Sequence, residues 1–446
     1  MDFYPDQPIP NIPSTSYQRI VVIGAGFAGL KLARSLRNAR YHVILLDKNN
    51  YHQFQPLFYQ VATAGLEPSA ISFPLRKIFH NTPNVTFRMV EAKKIDQEKN
   101  RLYTNIGYID YDYLVLAMGA DTNYFGMKNI MENSVPMKSV SEALFIRNKI
   151  ISNYERAINI ADEAQRKAMM NVVIVGGGPT GVELAGAMAE LRNRVFPKDY
   201  PQLNFKNMKV VLVEAGKNLL AGMSSVSSRK AQKYLESLGV EVMLETAVQD
   251  YDGLNVTING KTALQTQTLL WAAGIRPNGI EGLIENQKIR NGRLPVDEFN
   301  RLTSSAHIFA LGDLCIQVSP DYPHGHPQVA QVALQQAKNL AENFKRQLKG
   351  KPFKAFQYKD LGSMATIGRK LAVVELPFVK FQGILAWFTW LFVHLMAILG
   401  VKNRIFIFLD WAWNYLSFDP SLRLLIRPTY VKPKDREKLV EEKHGG

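Results

Sequence analysis

The sequence predicts an α/β protein with two open parallel-sheet units and an amphipathic helical segment at its carboxy-terminal end. Three observations carry that expectation. A strand-turn-helix-strand pattern occurs twice, two further apolar strands end in small residues and a third delivers an acid, and the aromatic tail places its polar residues on one helical face. The chain has 446 residues, 46% of them hydrophobic, which is enough for two or three domains that each bury a core.

After a Pro-rich lead, the β-branched run Arg19 to Ile23 breaks into Gly24-Ala25-Gly26-Phe27-Ala28-Gly29, and the helix-compatible Leu30 to Ala39 follows. Tyr41 to Leu46 reads as the next strand and ends on Asp47, eighteen positions beyond Gly29. The pattern then recurs: Asn171 to Val175 is a strand, Gly176 to Gly181 the turn, Val182 to Leu191 a helix, and Lys209 to Val213 a strand ending on Glu214. Both units are Rossmann-like and dinucleotide-binding in type. The first glycine permits the turn, the second lets backbone approach a pyrophosphate, and the third lets helix pack on strand. The helix N-terminus faces the phosphates and the terminal acid takes a ribose hydroxyl. Glu214 lies thirty-three residues past Gly181 against the usual ~20. The polar, Pro-containing stretch Arg192 to Asn207 reads as an insertion that accounts for the difference.

Two buried-strand runs, Tyr113 to Ala120 and Thr268 to Gly274, close on small residues at Gly119 and at Ala273-Gly274. A third, His307 to Asp313, delivers an acid to the carboxyl edge of a sheet, where open parallel sheets bind ligands. A helix is predicted from near Pro327 to about Leu348, its N-terminus aimed at whatever Asp313 holds.

Lys plus Arg number 54 and Asp plus Glu 39, a formal charge of +15 and a pI near 9.6, so an anionic partner is expected. No nucleic-acid motif appears, and the charge is assigned to anionic membrane lipid. The single cysteine, Cys315, excludes an intramolecular disulfide, a CxxC redox pair and a Cys-rich zinc site. No metal site is expected, since His324 and His326 have no carboxylate or thiol cluster around them and read as loop residues. The start, Met1 to Pro13, reads as neither a secretory signal nor a transit peptide, which places the bulk of the protein in a reducing cytoplasm.

Gly383 to Val401 is broken only by the polar Thr389 and His394; as one helix it would run ~28 Å, close to a bilayer core. A single crossing would put Arg423, Arg427, Lys432 and Lys434 on the far side from the catalytic domains, against the positive-inside tendency. Ile405 to Ser417 then sets Asp410, Asn414 and Ser417, with Asn403, on one face and aromatic and aliphatic residues on the rest. The expectation is monotopic attachment to the cytoplasmic side of the cell membrane, with Trp387, Trp390, Trp411 and Trp413 at the headgroup boundary.

Taken together, "YLVLAMGA", "WAAGI" and "IFALGD" at three strand ends resemble the flavoprotein pyridine-nucleotide reductases, in which an NADH domain is inserted into an FAD domain. More specifically, Ala330-Gln331-Val332-Ala333-Leu334-Gln335 resembles the AQxAxQ motif of the type II NADH dehydrogenases. The turn extended as "GGGPTGVELAG" and the tail "WLFVHLMAILG…NRIFIFLDWAWNYLSF" are similar to that family as well. The resemblance implies an FAD domain in two parts (17–125 and 296–375), an NADH domain (168–295) and a membrane-associating segment with a basic tail (376–446). It implies FAD on Gly24, Gly26, Gly29, Asp47, Gly119 and Asp313, and NADH on Gly176, Gly178, Gly181, Glu214, Ala273 and Gly274. Glu214 would favour NADH over NADPH by repelling a 2′-phosphate. Glu183 would lie where nicotinamide meets flavin, Gln331 and Gln335 near the quinone carbonyls, and Lys370 where it could steady a reduced flavin or quinol anion. The implied activity is non-proton-pumping NADH:quinone oxidoreduction by a membrane-bound homodimer. Two rivals stand beside it: a ferredoxin or rubredoxin reductase, and a membrane-tethered flavoprotein that senses NADH.

Overall fold

The computed structural model describes residues 5–283, 292–417 and 422–425. Two five-stranded parallel sheets organise the chain; four strands of each follow the same order, while the fifth, an edge strand, comes last in the first sheet and first in the second. In the first, Ile308–Ala310, Tyr113–Leu116, Arg19–Ile23, His42–Asp47 and Val85–Met89 lie side by side. In the second the order is Val135–Pro136, Thr268–Trp271, Val172–Val175, Val210–Val213 and Glu241–Met243. The apolar runs form central strands because helices or meanders cover both faces: Ile20, Val21 and Val22 are fully buried, as are Ile44 and Leu45. Strand Ile308–Ala310 rejoins the first sheet after the second is complete, so the second unit is an insertion in the first.

Each unit carries a three-stranded antiparallel meander between its edge strand and the strand that returns to the sheet: Ala92–Asp96, Arg101–Thr104 and Gly107–Asp110 in the first, Val248–Tyr251, Asn255–Ile258 and Lys261–Gln265 in the second. The paired strands Ala120–Thr122 and Ile275–Pro277 link the units. The long spacing before Glu214 arises from extra structure between helix Pro179–Arg194 and strand Val210–Val213: a short helix, Phe196–Asp199, and a 3-10 turn, Phe205–Asn207.

The helix expected from near Pro327 spans Ala330–Gln347 and packs along the first turn helix, Phe27–Ser35. Its Gln331, Gln335, Asn339 and Asn343 recur every fourth residue and form a ladder of amides. They hold the extended 354–362 segment by its backbone through contacts with Leu361 and Gly362, Lys359, and Lys354.

The carboxy-terminal end differs from the expectation in three respects. First, the apolar run 383–401 is not one helix. Helix Ile384–Ala397 ends at an extended Ile398 and a left-handed Gly400 (φ 81°), and Val401–Ser417 follows as a second helix. Arg404 caps the break by donating to the carbonyls of Ile398 (2.8 Å) and Met396 (2.9 Å), which a helix C-terminus leaves open. Among the described residues no helix is long and apolar enough to cross a membrane. Second, Asn403, Trp411 and Asn414 of Val401–Ser417 turn inward, while Asp410 stays exposed. Asn403 donates to Ala70 O, Trp411 to Gln60 Oε1 and Asn414 to Gly65 O, because the half-buried 60–70 segment offers carbonyl oxygens that need partners. Of the four tryptophans placed at a boundary, Trp390 is 1% exposed, Trp387 and Trp411 are half-buried, and only Trp413 is exposed. The outward face is apolar, with Leu385, Phe392, Val401, Ile405, Leu409 and Leu416 all exposed. Third, Arg423 is paired with Asp199 rather than presented to lipid. Arg427, Lys432 and Lys434 lie outside the described residues.

Candidate active site

The two turns repeat each other nearly atom for atom. Gly24 and Gly176 take positive φ (98° and 113°), and a Cβ on either would fall 2.4–2.5 Å from the carbonyl oxygen of Ala117 or Ala272 on the adjoining strand. A Cβ on Gly29 or Gly181 would fall 1.8–1.9 Å from the carbonyl oxygen of Gly24 or Gly176, so helix lies directly on turn. Gly26 and Gly178 are different. Both have ordinary extended backbone (φ −67° and −71°), and a Cβ on either would meet nothing within 4 Å. Neither backbone nor packing requires glycine there. The two helix N-termini they open have no side-chain cap, leaving free N–H groups at the same place. A phosphate-bearing ligand fits both observations.

The terminal acids complete the symmetry. Asp47 accepts from Ala25 N (2.7 Å) and Asn49 N (2.7 Å), and Glu214 from Gly177 N and Gly216 N (2.6 Å). Burial raises the Asp47 carboxyl, and its two N–H donors oppose the rise. Gly119 and Ala273-Gly274 sit at equivalent strand ends, on either side of the linking strands. Asp313 lies in a 3-10 turn, Gly312–Leu314. Burial raises its carboxyl, while Lys138 and Arg293 pull it back. Cys315 is buried with its thiol pushed up to about 12, which makes it unreactive.

Helix Pro179–Arg194 begins at the second turn and runs away from it to a cavity. A Cβ on Gly186 would fall 1.5 Å from Ile367 O, so the helix lies directly against strand Ser363–Gly368. This approach sets Glu183 against Thr366 N (3.4 Å) and, two turns on, Glu190 against Arg369 N (2.6 Å). Glu183 is 8% exposed, and burial pushes its carboxyl up to about 8. Burial raises Glu190 as well, opposed by the Arg369 N–H, Arg194 and the Arg369 guanidinium.

The cavity holds about 200 Å³. Glu183 and Glu190 lie along one side, Tyr59 and Gln60 on another, and the indoles of Trp387, Trp390 and Trp411 come from the carboxy-terminal helices. Its surface is mostly apolar, with a few convergent polar groups, the composition of a site for a flat, weakly polar molecule. The two carboxy-terminal helices therefore form a wall of the site as well as an apolar outer face.

The remaining candidates fall elsewhere. Gln331 donates to Gly362 O (2.7 Å) and accepts from Leu361 N (3.0 Å); Gln335 donates to Lys359 O (2.8 Å) and accepts from Lys359 N (3.0 Å). Both amides are engaged with that backbone, and neither lines the cavity. Lys370 occupies the hairpin turn after strand Ser363–Gly368, exposed, with its ammonium 5.5 Å from the Tyr415 ring. Sequence reading did not single out Tyr59, Gln60 or Glu190. Glu190 was within reach, seven residues past Glu183 on one helix face, whereas Tyr59 joins them only through the tertiary fold.

The nested sheets and the doubled turn define a pyridine-nucleotide-dependent flavoprotein reductase fold. The model of the pyridine nucleotide-disulphide oxidoreductase family matches residues 18–337, and that of the NDH2 C-terminal domain matches residues 361–417. The chain is 32% identical over 414 residues to the type II NADH:quinone oxidoreductase Ndh of Mycobacterium tuberculosis, covering 90% of this chain and 88% of that one. The protein belongs to the type II NADH:quinone oxidoreductase (NDH2) family. Its fold matches that of NDH2 from Plasmodium falciparum in complex with NADH, with a TM-score of 0.83 at 22% identity, over 92% of this chain and 100% of that one. The sulfide:quinone oxidoreductase of Aquifex aeolicus shares the fold more distantly, with a TM-score of 0.67 at 19% identity over 95% of each chain.

Proposed function

We propose that the protein oxidises NADH and reduces a quinone to quinol at a membrane surface, without proton pumping, using FAD as the resident cofactor. The observation that carries this reading is helix Pro179–Arg194, which connects the nucleotide turn at one end to an aromatic cavity walled by the carboxy-terminal helices at the other. FAD is held by Gly24, Gly26 and Gly29 at its pyrophosphate and by Asp47 at its ribose, with Gly119 and Asp313 at the inner end. NADH is held by Gly176, Gly178 and Gly181, by Glu214 at the adenosine ribose, and by Ala273 and Gly274. The flavin, when bound, supplies the two-electron exchange.

The chain's own residues position and exclude. The open faces at Gly26 and Gly178 admit phosphates, and Glu214 rejects a charged 2′ substituent. The indoles keep bulk water from the quinone, and Glu183, protonated up to about pH 8, holds a proton beside it. Gln331 and Gln335 act through the 359–362 backbone that they hold, and Lys370 acts through Tyr415 in the carboxy-terminal wall. The apolar outer face of the last two helices enters the headgroup region on the cytoplasmic side, with anionic lipid attracted by the net positive charge. A homodimer is the assembly in keeping with the family.

Purified protein should oxidise NADH with a short-chain quinone as acceptor, and NADH should bleach its flavin absorbance before quinone restores it. Bleaching that no quinone reverses would refute the reading.

A further inference from the structure

Reducing a quinone to quinol takes two electrons and two protons. NADH brings two electrons and one proton as hydride, so one proton per turnover must come from water. A buried site excludes bulk water from the very oxygen that needs that proton, and a route is required. The side of the cavity away from the nucleotide turn holds the groups for one. Glu183 and Glu190 are seven residues apart on one helix, hence about 10 Å apart along its axis, and both line the same cavity. Tyr59 lines it too, from helix Phe58–Ala62; burial raises its phenol, and the charges of Glu183 and Glu190 add to the rise.

The phenol is oriented by a chain from the membrane-facing helix. Trp411 donates to Gln60 Oε1 (2.8 Å), and Gln60 Nε2 donates to Tyr59 Oη (2.8 Å). One lone pair of Oη is thereby filled by a donor, which leaves the Tyr59 O–H free to donate into the cavity that both carboxylates line. At the far end Glu190 accepts from Arg369 N, and Arg194 and Arg369 complete the cavity lining around it.

We propose that Tyr59 and Glu190 are proton-carrying positioning residues: Glu190 takes a proton from water at the arginine-lined end, Tyr59 passes it on, and Glu183 receives it for the quinone oxygen. Each transfer runs through water in the cavity: the phenol gives its proton toward Glu183 and regains one from the Glu190 side, so no charge is left on Tyr59. The proposal rests on the quinone reading given above. The groups facing this path are Arg194 on the same helix, Arg369 and Lys370 from the hairpin, His394 stacked on Trp390, and Tyr415 over the Arg369 guanidinium. The cations stand at the Glu190 end, where they favour release of its proton inward. His394, whose burial lowers it to about 4, stays neutral at the Glu183 end.

The test separates the two half-reactions of the flavin-loaded, full-length protein by rapid mixing. Tyr59→Phe and the near-isosteric Glu190→Gln should leave bleaching by NADH within twofold of the parent. Reoxidation by excess short-chain quinone should slow at least tenfold and show a larger solvent deuterium effect. Trp411→Phe, which frees Gln60, should slow reoxidation less than Tyr59→Phe does. Glu190→Asp should recover part of the loss that Glu190→Gln causes. Reoxidation unchanged in both Tyr59→Phe and Glu190→Gln overturns the relay, and so does equal slowing of both half-reactions. If the parent itself is bleached by NADH and never reoxidised by quinone, the quinone reading fails first and the relay with it.

Discussion

Gly178 and Gly181 stand three residues apart in one turn, yet the structure assigns them opposite duties, and alanine at each separates the two. An alanine Cβ at 181 would lie 1.9 Å from Gly176 O, well inside any permitted contact, so the helix must move off the turn. That displacement breaks packing of Val182 and Leu184 in the core and should cost about 3 kcal/mol or more, in the range of severe overpacking. At 178 the backbone (φ −71°, ψ 179°) suits alanine, and the Cβ meets no protein atom within 4 Å. The only intrinsic cost is that of alanine in place of glycine at an N-cap, under about 1 kcal/mol. The Cβ does intrude on the space a pyrophosphate needs. Losing two N–H contacts to it, at about 1.5 kcal/mol each for a charged acceptor, raises the KM for NADH by roughly a hundredfold. Purified Gly178→Ala should therefore keep its flavin and its melting temperature within about 2 °C, with KM raised and rates at saturating NADH largely recovered. Gly181→Ala should be poorly folded. A Gly178→Ala protein that melts several degrees low, or binds NADH as the parent does, would refute the reasoning.

Three other outcomes follow from the same geometry. Replacing Gln331 and Gln335 together by alanine removes four hydrogen bonds to the 359–362 backbone, for a loss of about 2–4 kcal/mol. Amide exchange at Lys359 and Leu361 should speed up at least tenfold, and unchanged protection would show that the ladder does not hold the segment. Phe392→Asp with Leu416→Asp takes away two exposed apolar side chains, each contributing about 1.5–3 kcal/mol to insertion. Flotation with vesicles of mixed neutral and anionic lipid should fall at least tenfold, and full retention would count against membrane attachment by this face. The Glu183 carboxyl is raised from 4.5 to about 8, so the folded state holds a proton that the unfolded state releases between those values. Stability relative to Glu183→Gln should then decline as pH rises from about 4.5 to 8 and level off above, whereas a difference independent of pH would place Glu183 in contact with solvent.

The sites differ in how far they could be read along the chain. The turn glycines and their acids are contiguous or nearly so, and each is tied to a backbone conformation or a close approach that only one residue type permits. Glu214 shows the limit of spacing as a signal: its distance from Gly181 is unusual, yet the extra Phe196–Asp199 and Phe205–Asn207 elements loop out and leave it bonded to Gly177 N. Gln331 and Gln335 show the limit of motif. Their periodicity was visible, but what an amide bonds depends on which backbone lies opposite, and here that is a segment some 25 to 30 residues away in sequence.

By itself, the sequence determined the two parallel-sheet units, the doubled nucleotide turn, the exclusion of cysteine-pair chemistry and the amphipathic character of the tail. These are local properties, set by side-chain period, glycine placement and residue counts. Tertiary structure alone decided which way the last helix faces, because amphipathicity gives two sides without saying whether protein or lipid takes the polar one. Uncapped carbonyls at Gly65 and Ala70, together with Gln60, drew Asn414, Asn403 and Trp411 inward and left the apolar side out. The same folding step brought Trp390 and Trp411 over Glu183, Glu190 and Tyr59, making the cavity from segments more than 300 residues apart. No pattern within any one of those segments contains that meeting, since burial and proton affinity are properties of the space between them.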